Sequence, residues 1–137
     1  MKYLLDTNVI SESIKTSPDK RVLQLLETHQ HDIAIAAPVW HELKFGCERL
    51  PASRKKAFIE RFLNDVIKPN LPILPYDGKA AEWHAAERAK LTAQGLTPSF
   101  IDGQIAAISI TNALVLVTRN IQDFAAFRDV VMENWYS

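Results

Sequence analysis

Four carboxylates occupy comparable positions along this chain of 137 residues. Asp6 and Asp123 follow short apolar stretches that have the character of buried strands, whereas Glu42 and Asp102 fall near the starts of predicted helices. Functional sites in open parallel sheets form beyond the carboxyl ends of the strands. If the strand order brings these segments together, the four acids therefore converge on one edge of the sheet.

Convergence of several acids restricts the chemistry that they can perform. Two unit charges about 4 Å apart interact by roughly 4 kcal/mol at an effective dielectric near 20, so ionised carboxylates that share a cleft need protons, basic partners or metal cations. A set of ligands made only of oxygen favours magnesium or manganese over zinc or copper. Such ions activate water and clamp phosphodiesters. A shared site would therefore suit phosphodiester hydrolysis with Mg²⁺ or Mn²⁺.

Each acid also has a purely structural interpretation. Three of them occupy positions typical of helix caps, and the fourth fits a solvated helix residue: the caps are Asp6, Ser99-x-x-Asp102 and Asn120-x-x-Asp123, and the solvated residue is Glu42. The repeated placement of an acid after a strand favours one shared site over four unrelated roles. From the residues alone, both interpretations stay open.

The elements that would position these acids are short apolar strands alternating with helices. This alternation predicts a three-layer α/β/α sandwich with a short central parallel sheet, formed as a single domain over residues 1–137. Strands are expected at 2–5, 33–36, 73–74 and 114–117, with a last one at 130–132. Helices are expected after Asp6, from Ser17-Pro18, at Pro38, from Ser53, over 77–94 up to Gly95, from Ser99, and through Phe124.

Composition sets further limits. The chain is 47% hydrophobic, enough for a core, and its 16 basic and 16 acidic residues cancel. Zero net charge argues against coating nucleic acid by bulk charge, although it allows a local basic groove. The single cysteine, Cys47, excludes an intramolecular disulfide and any multi-cysteine zinc site, and is expected to be buried. No apolar run reaches the roughly 18 residues of a transmembrane helix, so we expect a soluble, cytoplasmic protein.

Four blocks of residues, in order along nearly the whole chain, resemble a known family. They are LLDTN at 4–8, HELKFG at 41–46, DGQIAA at 102–107 and LVTRNIQDF at 116–124. Together they resemble the PIN-domain family, and in particular its VapC-like ribonuclease toxins of type II toxin–antitoxin systems. The resemblance implies a metal-dependent endoribonuclease in which an ion-activated water attacks the phosphorus without a covalent enzyme intermediate.

The same resemblance assigns roles to individual residues. Asp6, Glu42, Asp102 and Asp123 would be the catalytic, metal-site acids for Mg²⁺ or Mn²⁺, and Thr7, Asn8, Thr118 and Asn120 would orient carboxylates or water. Two departures from the family pattern, His41 and Gly103, remove no acid. The resemblance also implies an RNA substrate, a homodimer, and a cognate antitoxin whose tail enters the acidic cleft.

Basic residues supply candidate RNA contacts. The densest basic stretch contains Arg49, Arg54, Lys55, Lys56 and Arg61, and these side chains could contact RNA phosphates, contact an acidic partner, or form a solvated helix face. Arg119 could hold a substrate phosphate or neutralise a neighbouring carboxylate.

Two other functions compete with the nuclease. A receiver-like signalling domain also needs acids and magnesium at strand ends, but it requires an adjacent acidic pair early in the chain and a lysine after a late strand. Here Asp6 has no acidic neighbour, and Val117 leads into Thr118-Arg119-Asn120. The second alternative is a catalytically silent PIN-like protein that binds RNA or a partner.

Overall fold

A computed structural model describes all 137 residues and contains one sheet of five parallel strands. The strand order is β3-β2-β1-β4-β5, so the first strand lies at the centre. Tyr3 of this strand pairs with Ile33 on one side and with Val115 on the other. The strands are β1 (Tyr3–Leu5), β2 (Ile33–Ala36), β3 (Ile73–Leu74), β4 (Val115–Val117) and β5 (Met132–Glu133).

Helices connect the strands and flank the sheet, which confirms the predicted α/β fold with a central parallel sheet. They are α1 (Thr7–Ser11), α2 (Lys20–Thr28), α3 (Ala37–Glu48), α4 (Arg54–Arg61), α5 (Lys68–Asn70), α6 (Gly78–Ala93), α7 (Phe100–Thr111) and α8 (Ile121–Phe124). A 3-10 turn over Glu12–Ile14 follows α1, and a π-helical turn over Phe62–Ile67 joins α4 to α5.

Most helix starts follow the predicted capping residues, but the predicted start of α2 at Ser17-Pro18 is wrong. The side chain of Asp19 accepts the Val22 N–H at 3.1 Å, so this acid is the N-cap and the helix begins at Lys20. Asp19 also accepts two hydrogen bonds from Ser137 at the end of the chain. These contacts across the fold fix Asp19 at the helix start. The last strand is likewise displaced, to Met132–Glu133.

The core lies around the three central strands. Leu4, Ile35 and Leu116 have no exposed surface, and on α7 the side chains from Ile105 to Ile108 are all buried. Cys47 is 1% exposed, which confirms its prediction as a small buried residue. No helix of the chain combines the length and the apolar character that crossing a membrane requires.

Gly103 allows α6 and α7 to pack closely. A Cβ atom at this position would overlap the ring of His84 on α6, most closely at Nε2. The His84 side chain is 3% exposed and its Nδ1 is 2.8 Å from the Tyr76 hydroxyl, so the ring has little freedom to move aside. The glycine that departs from the family pattern therefore has a packing reason.

We expect Gly103→Ala to lower the free energy of unfolding by about 1–3 kcal/mol, because the added methyl overpacks the contact with His84. Gly46→Ala is the matched control: this glycine is also helical but has open space around its Cβ position, and alanine there should add up to about 1 kcal/mol. Urea unfolding measures both. A double variant with His84→Ala should recover part of the loss; equal stability of Gly103→Ala and the parent chain would contradict this explanation.

Candidate active site

Asp6 stands where β1 ends and α1 begins. Its backbone is extended, and its Oδ1 accepts the Thr7 N–H at 2.9 Å, so it is the N-cap of α1. Its Oδ2 accepts a hydrogen bond of 2.8 Å from Oγ1 of Thr118, which directly follows the neighbouring strand β4. Asp6 can therefore cap α1 and also belong to a site, because both hydrogen bonds hold its carboxylate at the edge of the sheet.

Thr118 links the ends of the two central strands. Its side chain is fully buried, and its hydroxyl donates to Asp6 while accepting the Asn120 N–H at 3.0 Å. The structure therefore places Thr118 where it can orient a carboxylate. A hydroxyl that donates to a carboxylate in this way is expected to fix the orientation of the acid without binding a metal ion itself.

The other three candidate supporting residues are placed differently. Thr7 meets Asp6 through its backbone, and the exposed Asn8 offers its carbonyl to the Tyr136 hydroxyl. Asn120 begins α8, but its side chain makes no cap hydrogen bond, so the alternative in which this residue only caps a helix is not observed. Its backbone, at φ −97° and ψ 63°, differs from the extended cap conformation, and its carbonyl accepts the Asp123 N–H instead.

Asp102 lies in the first turn of α7, where the Ser99 hydroxyl accepts its N–H at 3.1 Å. Partial burial, and then the charges of Asp123, Asp6 and Glu42, raise the pKa of its carboxyl to about 6. Three acids from distant parts of the chain thus act on one carboxyl group. The structure therefore brings all four candidate acids to the same edge of the sheet.

No basic side chain neutralises this group of acids. The only salt bridge in the structure joins Lys15 to Glu12. The Arg119 guanidinium lies 4.7 Å from the centre of the Tyr136 ring and pairs with no carboxylate, so the neutralising role considered for it is not observed. The mutual repulsion of the four acids is left for protons or a cation to relieve.

The four carboxylates offer only oxygen donors, which hard cations prefer, although they do not surround a common point. No three aspartate, glutamate, histidine or cysteine side chains lie close enough together to hold an ion in these positions. Glu42 and Asp123 are exposed, whereas Asp6 and Asp102 are partly buried and anchored by their helix starts. To hold an ion, these carboxylates would have to come closer together than they lie here.

The four candidate RNA-contact residues differ in what their side chains already contact. Arg54 and Lys55 are exposed at the start of α4 and free to meet a phosphate. Lys56 instead donates from Nζ to the Glu48 carbonyl at 3.2 Å, which satisfies the end of α3. Arg119 is exposed but packs on Tyr136.

The sequence interpretation did not identify Tyr136 as a neighbour of this edge. Its hydroxyl lies 3.0 Å from both the Asn8 carbonyl and Oε2 of the buried Glu12, so its one hydrogen is shared between these acceptors, and the Arg119 guanidinium packs over its ring. The end of the chain is thereby fastened beside α1. These two contacts span 128 and 124 positions of the sequence, so no local sequence pattern could have predicted them.

Comparison with known proteins identifies relatives of this chain and of its fold. Residues 3–130 match the family described as PIN domain. The VapC ribonuclease Y4jK of Sinorhizobium fredii is 31% identical over 139 residues, which cover 96% of each chain.

Two solved structures are also similar. FitAB bound to a fragment of IR36 DNA gives a TM-score of 0.89 at 31% identity and covers 98% of this chain and 96% of that one. VapBC-5 of Mycobacterium tuberculosis, described as a member of the VapBC family of toxin–antitoxin systems, gives a TM-score of 0.71 at 25% identity and covers 99% and 98% of the two chains.

Proposed function

Because this chain belongs to the PIN-domain family, we propose that it is a metal-dependent endoribonuclease that hydrolyses RNA phosphodiester bonds with an ion-activated water. The observation that carries the proposal is the setting of Asp102, a partly buried carboxyl whose pKa is raised first by burial and then by the charges of Asp123, Asp6 and Glu42, with no salt bridge to any of these acids. A relative described as a VapC ribonuclease supports RNA as the substrate. The cytoplasm, where RNA is abundant, is the expected compartment.

Asp6, Glu42, Asp102 and Asp123 would hold the ion, and Mg²⁺ or Mn²⁺ bound there supplies an activated water and positive charge for the phosphodiester. The chain's own contribution is to position these groups. The Thr7 N–H and the Thr118 hydroxyl fix the two oxygens of Asp6. The start of α7 fixes Asp102, whose carboxyl holds a proton more readily than usual when no cation is near.

Incubation of purified protein with a cellular RNA pool tests the proposal. Cleavage should appear with Mn²⁺ or Mg²⁺ and disappear with EDTA. Intact RNA under every condition, from a protein shown to be folded, would instead favour the catalytically silent PIN-like alternative. The receiver-like alternative is not supported by the family to which the chain belongs.

We expect Thr118→Val to reduce cleavage by about 10- to 100-fold, the usual effect of losing a group that orients a metal-site residue. Valine keeps the buried shape but cannot donate to Asp6. Thr118→Ser should restore most of the activity, because it returns the hydroxyl. Thr111→Val is the matched control, since that hydroxyl donates only to a carbonyl within α7. Full activity in Thr118→Val would show that Asp6 needs no such partner.

We further propose that the protein is a toxin held inactive by a cognate antitoxin and that it forms a homodimer. A structural relative described as belonging to a family of toxin–antitoxin systems supports the first part. The homodimer rests on the family resemblance alone. Co-expression with the product of an adjacent small gene should yield a stable complex with lowered nuclease activity, and light scattering should give twice the mass of the chain for the free protein.

A further inference from the structure

Arg119 directly follows the residue that holds Asp6, and it is fixed at both its backbone and its side chain. The buried hydroxyl of Thr118 donates to Asp6 at 2.8 Å. The same hydroxyl accepts the Asn120 N–H at 3.0 Å, so the backbone on both sides of Arg119 is anchored to one residue. The Arg119 guanidinium lies 4.7 Å from the centre of the Tyr136 ring and pairs with no carboxylate. Its charge is therefore available to a ligand.

The Tyr136 ring that supports this guanidinium is itself held in place. Its hydroxyl lies 3.0 Å from both the Asn8 carbonyl and Oε2 of Glu12. Glu12 is 3% exposed, and its other oxygen accepts the Asp19 N–H. Burial, and then the hydrogen bond to Glu12, raise the pKa of the Tyr136 hydroxyl to about 12, so it keeps its proton near neutral pH. The ring is therefore a fixed support for the guanidinium.

The contact with Asn8 also places the Tyr136 ring close to Asp6. Asp6 is the N-cap of α1, and Asn8 follows it by two residues within the first turn of this helix. The ring that supports Arg119 thus rests on the helix that Asp6 begins. Arg119 is connected to Asp6 by two independent routes, one through Thr118 and the other through Tyr136 and Asn8.

A guanidinium that stacks on a ring uses its flat face and leaves the N–H groups around its rim free to donate. These donors match the oxygens of a phosphate, which they can bind in pairs. The four acids repel a phosphodiester, and the chain as a whole has no net positive charge to attract one. A substrate therefore needs a local cation at this edge of the sheet, and Arg119 is a cation that the fold already holds there.

We propose that Arg119 binds a substrate phosphate next to the acids and that Tyr136 is the positioning residue that holds its guanidinium there. The inference rests on the proposed function for the identity of the substrate. It adds a role for a residue that lies beyond residues 3–130, the part of the chain that matches the family.

Binding of a short labelled RNA, measured by fluorescence anisotropy with the full chain in EDTA, tests the phosphate contact without cleavage. Arg119→Ala should weaken binding by about tenfold, as expected for a hydrogen bond to a charged group, and should reduce the slope of log affinity against log salt by about 0.7 to 0.9. Lys2→Ala is the matched control, because Lys2 is also an exposed cation over a tyrosine ring, 5.2 Å from the centre of Tyr3, but precedes β1 at the opposite edge of the sheet. It should change affinity by less than about twofold.

A double-mutant cycle separates positioning of Arg119 from a general effect on the fold. Tyr136→Leu should weaken binding by about two- to fivefold, the value of an exposed cation–π contact, and should add no further loss once Arg119 is alanine. Tyr136→Phe keeps the ring and should bind within about twofold of the parent chain. An equal loss from Tyr136→Leu in both backgrounds would overturn the positioning role.

NMR of the parent chain provides a test that needs no folded Tyr136 variant. The signals of the Arg119 side chain should be shifted upfield by the Tyr136 ring and should move when RNA is added in EDTA; signals that stay in place would overturn the proposal. Arg119→Ala that binds RNA like Lys2→Ala would also overturn it, and cleavage by the parent chain would then leave the nuclease standing. Weakened binding by Arg119→Ala, in a chain that cuts no RNA with Mn²⁺, would sustain the phosphate contact and reject the nuclease.

Discussion

Asp6→Asn and Asp102→Asn are each expected to lower RNA cleavage by more than about 100-fold, because outer groups that merely orient a metal site already account for about 10- to 100-fold. Asparagine keeps the size of the side chain and can still accept the helix-cap hydrogen bond of Asp6, but it removes the negative charge that would hold a cation. The loss should therefore come with an intact fold.

The matched control for these variants is Asp65→Asn, which changes an exposed acid in the π-helical turn between α4 and α5. It should cleave RNA at the rate of the parent chain. Initial rates on one defined RNA at saturating Mn²⁺, with circular dichroism spectra of each protein, provide the comparison. Equal rates for the parent chain and all three variants would show that Asp6 and Asp102 do not contribute to the cleavage. A contaminating nuclease would produce the same pattern.

The second large effect concerns stability with and without metal. The folded-state pKa of Asp102 is about 6, above its ordinary value of 3.8. The folded chain therefore holds this proton more tightly than the unfolded chain, and ionisation of Asp102 reduces stability as the pH rises from about 4 through 6. At pH 7.5 in EDTA, Asp102→Asn should consequently melt at a higher temperature than the parent chain, and the difference should shrink toward pH 4.

With a cation bound, the parent chain should instead melt at a higher temperature than Asp102→Asn. Metal at about 100 times its dissociation constant adds about 2.7 kcal/mol to the stability of a protein that binds it only when folded, roughly 10 °C in Tm for a domain of this size. The parent chain should gain this amount with Mn²⁺, whereas Asp102→Asn should gain much less. An unchanged Tm of the parent chain across a full Mn²⁺ titration would contradict a metal site at these acids, whatever the nuclease assay shows.

Short-range features of this protein were predictable from the sequence. Ser53, Asp77 and Ser99 begin helices as expected, because a capping side chain bonds to N–H groups only three residues away. The apolar runs of β1, β2 and β4 identified the buried strands, since strands covered on both faces must be apolar throughout. The placement of Asp6 and Asp102 follows directly from these elements.

Contacts between distant segments could not be predicted from the sequence. The helix start at Asp19 depends partly on Ser137, and the need for Gly103 depends on where His84 lies in another helix. The fastening of Tyr136 to Glu12 joins the two ends of the chain. Each depends on how helices pack around the sheet, and local patterns carry no information about that packing.

The most direct test of the nuclease proposal is the chemistry of the RNA ends that the purified protein produces. Attack by an activated water needs no 2′-hydroxyl, so cleavage with Mn²⁺ should leave simple phosphate monoesters, should persist when the nucleotide at the cut lacks its 2′-hydroxyl, and should stop in EDTA and resume when Mn²⁺ is restored. Cleavage that continues in EDTA and yields 2′,3′-cyclic phosphates would contradict a metal-dependent mechanism at Asp6, Glu42, Asp102 and Asp123.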